Sequence, residues 1–148
     1  MIFNWILVNK LAIGTPLITQ KDKLFLKEKK ILSILDLRNE VDLLEIDYKN
    51  QLVLYKDFNL VNISLPDRNS KRFAIKPEIQ NAVNNLKKLL EDGPVFMHCK
   101  AAVERSPLIS VAFLMKTRQL NYIQAYDYVK QQNNNTNILI KQLKNIDH

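Results

Sequence analysis

The sequence predicts an α/β fold: a central, mostly parallel sheet of about four to five strands, flanked by helices on both faces. Three observations predict it. Short apolar runs of strand length alternate along the chain with helix-length stretches in three-and-four spacing. One such run, Pro94-Val-Phe-Met-His98, is apolar almost throughout, as a strand covered on both sides must be. Directly after it, Pro107, Leu108, Ile109, Val111, Ala112, Leu114 and Met115 make a stretch that is apolar nearly all round, a buried helix that follows a strand. At 148 residues the chain has room for one substantial core and not for two, so a single domain is expected over 1–148.

Taken in order, Met1 to Lys10 holds a short apolar run with no basic stretch before it and no small-residue cleavage site after it, so it does not read as a leader. Ile31-Leu-Ser-Ile-Leu-Asp36-Leu37, bounded by Lys and polar residues, has the character of a buried strand. Val61-Asn-Ile63-Ser-Leu65 alternates and stops at Pro66, which predicts a second strand running into a loop. Pro77 opens a helix whose Ile79, Ala82, Val83, Leu86, Leu89 and Leu90 share one face, and Asp92-Gly93 ends it. Amphipathic stretches at Ile123–Val129 and Ile138–Leu143 come after the buried helix, joined by a polar connector at Asn133-Asn134-Asn135. In such a fold ligands bind at the carboxyl ends of the strands, which directs attention to His98 and the loop beyond it.

Composition narrows the partners. The 22 basic and 15 acidic residues leave a net charge of +7, which favours anionic ligands. Much of that charge is Lys on solvated faces, as at Lys21, Lys23, Lys27, Lys29 and Lys30, without the interleaved aromatics of a nucleic-acid surface. No nucleic-acid partner is expected. No apolar span reaches membrane length, and the single cysteine, which can form no internal disulfide, suits a reducing, cytoplasmic setting. The wealth of Lys, Asn and Ile beside only 2 Gly points to a low-GC, bacterial genome. The sequence sets no oligomeric state.

That one cysteine stands at the strand-to-helix junction in His98-Cys99-Lys-Ala-Ala-Val-Glu-Arg105-Ser106-Pro107. Five residues, Lys100, Ala101, Ala102, Val103 and Glu104, let the backbone curl into a cradle whose N–H groups converge on an anion above a helix N-terminus. A cysteine in such a field beside a cation is activated as a nucleophile. Arg105 supplies the cation, and its planar fork grips two phosphate oxygens at once. The Ser106 hydroxyl can donate to the sulfur when it becomes a leaving group. A buried structural cysteine is the commoner state of a free thiol. Against that, His, Arg and Ser or Thr would fall at these three offsets by chance about 3 times in 100,000 for this composition.

His98-Cys99-x5-Arg105-Ser106 resembles the signature of the cysteine-based protein tyrosine phosphatases, and the small size is like their compact dual-specificity branch. The resemblance implies hydrolysis of phosphotyrosine, with phosphoserine and phosphothreonine admitted, through a phosphocysteine on Cys99, with inorganic phosphate or sulfate as a ligand of the loop. It also implies a general acid on a separate loop. Asp67, in Leu65-Pro66-Asp67-Arg68, stands 32 residues before Cys99 and fits that place; its plain alternative is a turn aspartate after proline. Asp57 is the reserve, expected within a strand or hairpin. Ala12-Ile13-Gly14 and Leu35-Asp36-Leu37-Arg38 resemble two further strands of the family. Ala102 replaces its usual glycine, which is compatible with the turn while φ stays negative. Glu104 replaces a small residue and is expected to point outward onto a basic partner. His98 faces the interior and orients the loop without acting as a base. No cofactor is required, and no cluster of His, Cys and carboxylates predicts a metal. Three other readings stand beside this one: a phosphoinositide or other non-protein phosphatase, favoured by Lys100 and the net charge; an inactive phosphate-binding module; and a rhodanese-like sulfur transferase, favoured by Glu104 before Arg105.

Overall fold

The computed structural model describes residues 1–146. The strands are β1 (Phe3–Leu7), β2 (Leu11–Gly14), β3 (Ser33–Asp36), β4 (Asn59–Asn62) and β5 (Val95–His98). The helices are α1 (Gln20–Glu28), α2 (Glu40–Leu44), α3 (Tyr48–Leu54), α4 (Lys76–Asp92), α5 (Arg105–Arg118), α6 (Tyr122–Gln132) and α7 (Ile140–Ile146). The sheet runs β1-β2-β5-β3-β4, parallel except for β1, which pairs antiparallel with β2. None of the described helices is long and apolar enough to cross a membrane.

The three middle strands are buried along their whole length, as their largely apolar runs predict, and the burial takes in Ser33, Asp36 and His98 as well. Their side chains divide between two cores. Leu11, Ile13, Leu35, Val95 and Met97 face α4, α5, α6 and α7, whereas Ala12, Ile34 and Phe96 pack with Leu26 of α1 and with Tyr55 and Phe58 after α3. In α4, Pro77 occupies the first turn, the Glu78 carboxylate accepts the Ile75 N–H at 3.0 Å, and Ile79, Ala82, Val83, Leu86 and Leu89 are buried. Each of the Ile, Val and Leu side chains among them contributes about 1.5–3 kcal/mol through burial. Gly14 ends β2 where a Cβ would sit 1.9 Å from the Ile2 carbonyl oxygen, so no side chain fits there.

Register brings Gly14, His98 and Asp36 into one row at the carboxyl ends of β2, β5 and β3.

The structure departs from expectation in the second predicted strand. It is β4, Asn59–Asn62, not Val61–Leu65. Asn62 donates its amide to the Asp36 and Arg38 carbonyls at 2.8 and 3.1 Å, and single backbone bonds from Ile63 and Leu65 carry the chain off the sheet edge. Asp57 lies in the turn between α3 and β4, outside any strand, and is paired with Lys23 at 2.8 Å. Asn133, in the expected connector between α6 and α7, is fully buried.

Candidate active site

Cys99 leaves β5 and is 2% exposed, its Sγ 3.4 Å from the Ser106 hydroxyl in the first turn of α5. Cys99, Lys100, Ala101, Val103, Glu104 and Arg105 line a cleft of about 310 Å³, which Asp67, Arg68 and Asn69 close from the loop after β4. The Lys100 ammonium stands at the exposed rim and pairs with Glu45 at 2.8 Å.

The Arg105 guanidinium is held from one end. Its Nη1 donates to Asp42 Oδ2 at 2.6 Å and lies 3.4 and 3.5 Å from the Leu37 and Leu65 carbonyls, while Nε and Nη2 make no hydrogen bond among the described residues. Burial disfavours the Asp42 carboxylate, but hydrogen bonds from Arg105 and the Asn39 N–H, with the guanidinium charge, outweigh it and hold the group below the usual carboxylate range. The sequence reading missed Asp42. Its one signal was Asn39-Glu-Val-Asp42, a capping box that α2 forms, with Asn39 Oδ1 accepting the Asp42 N–H and Asp42 Oδ2 accepting the Asn39 N–H.

Asp67 Oδ2 lies 3.8 Å from Arg105 Nη2, while its Oδ1 accepts the Asn69 N–H and the Ser70 hydroxyl at 3.1 Å each. It is thus a turn aspartate and a member of the cleft together.

His98 is fully buried. Its Nδ1 lies 3.2 Å from the Cys99 carbonyl and 3.7 Å from Asp36 Oδ1, both acceptors, so Nδ1 carries the proton. Nε2 then accepts from the Tyr55 hydroxyl at 2.9 Å, and Tyr55 in turn accepts the Leu17 N–H at 3.3 Å. Asp36 is occupied by a two-pronged bond from Arg38 at 3.0 and 2.9 Å. Burial pushes the His98 pKa down to about 4, with the neighbouring Asp36 charge opposing it only in part. Folding therefore favours neutral His98. That stability is fully present above pH 6.5 and is lost as pH falls from there toward about 4, a loss of about 3 kcal/mol. Urea denaturation from pH 7 to 4 checks it, and His98→Asn removes that slope.

Two expectations are corrected here. Ala102 has a φ of 57°, not a negative value. The left-handed turn is held because the buried Asn133 amide donates to the Ala102 carbonyl at 2.8 Å and is itself fixed by Thr136 and Asn4. A left-handed alanine costs roughly 1 kcal/mol, so Ala102→Gly is expected to raise the unfolding free energy by about that amount in chemical denaturation. Glu104 does not point outward: it is 5% exposed, and its Oε2 accepts from Arg68 Nε at 3.1 Å. Its pairing with a cation is as expected; its burial is not. Among the described residues no group of three or more His, Cys, Asp or Glu is arranged to hold a metal.

Comparison with known proteins agrees with this architecture. The chain resembles in fold the crystal structure of PTPMT1 in complex with PI(5)P, with a TM-score of 0.79 at 14% identity over 97% of this chain and 91% of that one. It likewise resembles human tyrosine phosphatase-like serine/threonine/tyrosine-interacting protein, with a TM-score of 0.78 at 20% identity over 98% and 93%. In sequence it is 38% identical over 68 residues to human dual specificity protein phosphatase 5, which covers 45% of this chain and 18% of that protein. It is 32% identical over 69 residues to dual specificity protein phosphatase 1-A of Xenopus laevis, covering 46% and 19%. The matched segments thus span under a fifth of these relatives. The family model "Dual specificity phosphatase, catalytic domain" matches residues 17–147, which start just after β2 and take in all the elements that build the cleft, so the chain belongs to the dual specificity phosphatase family.

Proposed function

We propose that residues 1–148 form one catalytic domain that hydrolyses phosphoesters, phosphotyrosine foremost with phosphoserine and phosphothreonine admitted, by two displacements at phosphorus. Cys99 Sγ attacks phosphorus, the bond to the ester oxygen breaks, and Asp67 gives that oxygen its proton. Water then attacks the phosphocysteine, Asp67 takes the water's proton, the S–P bond breaks and Ser106 Oγ–H donates to the departing sulfur. The cradle amides from Lys100 to Arg105 hold the equatorial oxygens, and Arg105 meets them with its free Nε and Nη2. His98 sets the loop's first carbonyl without touching substrate.

The observation that carries this reading is the division of labour around Arg105: Asp42 pins Nη1 within the protein, and the open edge of the guanidinium faces the cleft shared with Cys99 and Asp67. Inorganic phosphate or sulfate is the expected competitive ligand of the cradle. An inactive module or a sulfur transferase would not need an acid opposite the arginine. A phosphoinositide is the second reading, favoured by the net charge of +7 and by the likeness in fold to a protein crystallised with PI(5)P. Lys100 argues less for it than the sequence promised, because Glu45 already pairs with its ammonium. A reducing cytoplasm suits a nucleophilic thiol. The Lys-, Asn- and Ile-rich composition favours a bacterial source, although the relatives named above are vertebrate proteins.

Initial rates on phosphotyrosine, phosphoserine and phosphothreonine peptides, phosphoinositides and nucleotides test the proposal. The phosphotyrosine peptide should be turned over fastest; a protein inert on all of them would contradict it.

A further inference from the structure

We infer that Arg68 and Glu104 form a latch that seats the Asp67 loop on the phosphate cradle, so that Arg68 is a positioning residue for proton transfer. This rests on the role proposed above for Asp67.

Chain position gives the pair its leverage. Arg68 directly follows the acid and Glu104 directly precedes Arg105, so one ion pair joins the neighbours of the two groups that must meet across the cleft. Along the loop, Asp67 is otherwise held, among the described residues, only by its own turn, through Asn69 and Ser70, and its 3.8 Å approach to Arg105 is too long for a hydrogen bond. Arg68 is what grips the cradle. Its Nε donates to Glu104 Oε2 at 3.1 Å and its Nη2 to the Asn137 carbonyl at 2.5 Å, while the Asn137 N–H donates to the Val103 carbonyl at 2.8 Å. The guanidinium is therefore tied to the cradle twice, once directly and once through the connector before α7.

Burial makes this more than a surface pair. An exposed ion pair contributes little, but the Glu104 side chain is only 6% exposed, and its Oε1 is buried with no hydrogen-bond partner among the described residues. Arg68 is the one cation within 4 Å of it among those residues. Withdrawing Arg68 leaves an uncompensated carboxylate beside the place a phosphate dianion must occupy. The open loop is thereby penalised and the closed loop, with Asp67 over the cleft, is favoured.

The test measures kcat and KM for Arg68→Ala, Arg68→Lys, Asp67→Asn and the double variant Asp67→Asn/Arg68→Ala on aryl phosphates of graded leaving-group acidity, with thermal melts reporting folding. Arg68→Ala should lower kcat roughly 10- to 100-fold on phenyl phosphate and less than about 3-fold on a dinitrophenyl phosphate, with KM little moved. Arg68→Lys should recover most of the loss. In the Asp67→Asn background Arg68→Ala should cost nothing further, since there is no acid left to position. An equal loss on every leaving group, or losses that add to those of Asp67→Asn, would overturn the latch while leaving the acid in place. If Asp67→Asn itself shows no leaving-group dependence, the acid assignment falls and the latch with it. If Arg68→Ala fails to fold, the same pattern is read from Arg68→Gln and Glu104→Gln, which keep a polar side chain but remove one charge of the pair, and a uniform loss there again overturns the latch.

Discussion

Cys99→Ser is expected to lower turnover of an aryl phosphate by roughly 10⁵-fold or more, the scale seen when a covalent nucleophile is removed, while phosphate still binds. The two outcomes separate because they use different groups. Binding draws on the cradle amides and the free edge of Arg105, which serine leaves intact; displacement needs a polarisable anion at Sγ that a hydroxyl cannot supply without a base. Among the described residues none stands ready for that step: Asp67 is committed there as the acid, and His98 is fully buried, with its Nε2 already a hydrogen-bond acceptor and its pKa pushed down to about 4. Calorimetric titration with phosphate beside a rate assay checks both halves, and loss of binding together with turnover would show that the substitution had disturbed the cradle.

Asp42→Ala should have the second largest effect, and it should appear in stability as well as rate. Both partners of the Asp42–Arg105 pair are more than nine-tenths buried, so removing Asp42 leaves the guanidinium with only the more distant Asp67 carboxylate, 3.8 Å from Nη2. Breaking such a pair costs about 3–5 kcal/mol. The same substitution removes the acceptor of the Asn39 N–H, loosening the start of α2. With its anchor gone Arg105 is free to swing, and kcat/KM should fall roughly 10²- to 10³-fold, as for loss of one oriented donor to the transition state. Urea denaturation and steady-state kinetics on one preparation measure both. Asp42→Asn, which can still accept from Arg105 and Asn39, should fall between Asp42→Ala and the unaltered chain.

The inner strands and the helices from α4 to α6 were legible because their residues carry burial on their face: β5 is apolar up to His98, and α4 repeats its apolar positions every three or four residues. The segment between β3 and β4 was not, and the reason is physical. α3 buries none of its residues fully, and α2 buries only Asp42, so neither has an apolar stripe for periodicity to find. α1 carries Lys21, Lys23 and Lys27 of the lysines read as a solvated face, and its Thr19–Asp22 capping box went unread for the same want of a stripe, Leu26 being its only fully buried residue. β1 returns on β2 through a left-handed Asn9, where no glycine marked the turn.

The candidate site divides the same way. Cys99, Arg105, Ser106 and the cradle between them are contiguous, and contiguity is what a sequence displays. Their supports come from afar: Asp42 from α2, Asn133 from the connector after α6, Arg68 from the loop after β4. Glu104 was expected to be expelled because a buried carboxylate is costly; the cation that removes the cost lies 36 residues away. Ala102 was expected to keep a negative φ because alanine pays for a positive one; Asn133, 31 residues on, holds it there.

The nucleophilic role of Cys99 is tested most directly by acid-quenching Asp67→Ala during turnover of a dinitrophenyl phosphate, whose leaving group needs no proton, and weighing the peptide that contains Cys99. Without Asp67 to activate water the second displacement is slowed, so that peptide should carry the mass of one phosphoryl group on its cysteine, and Cys99→Ser should carry none. Release of phosphate with no adduct on Cys99, or an adduct on any other residue, would contradict it.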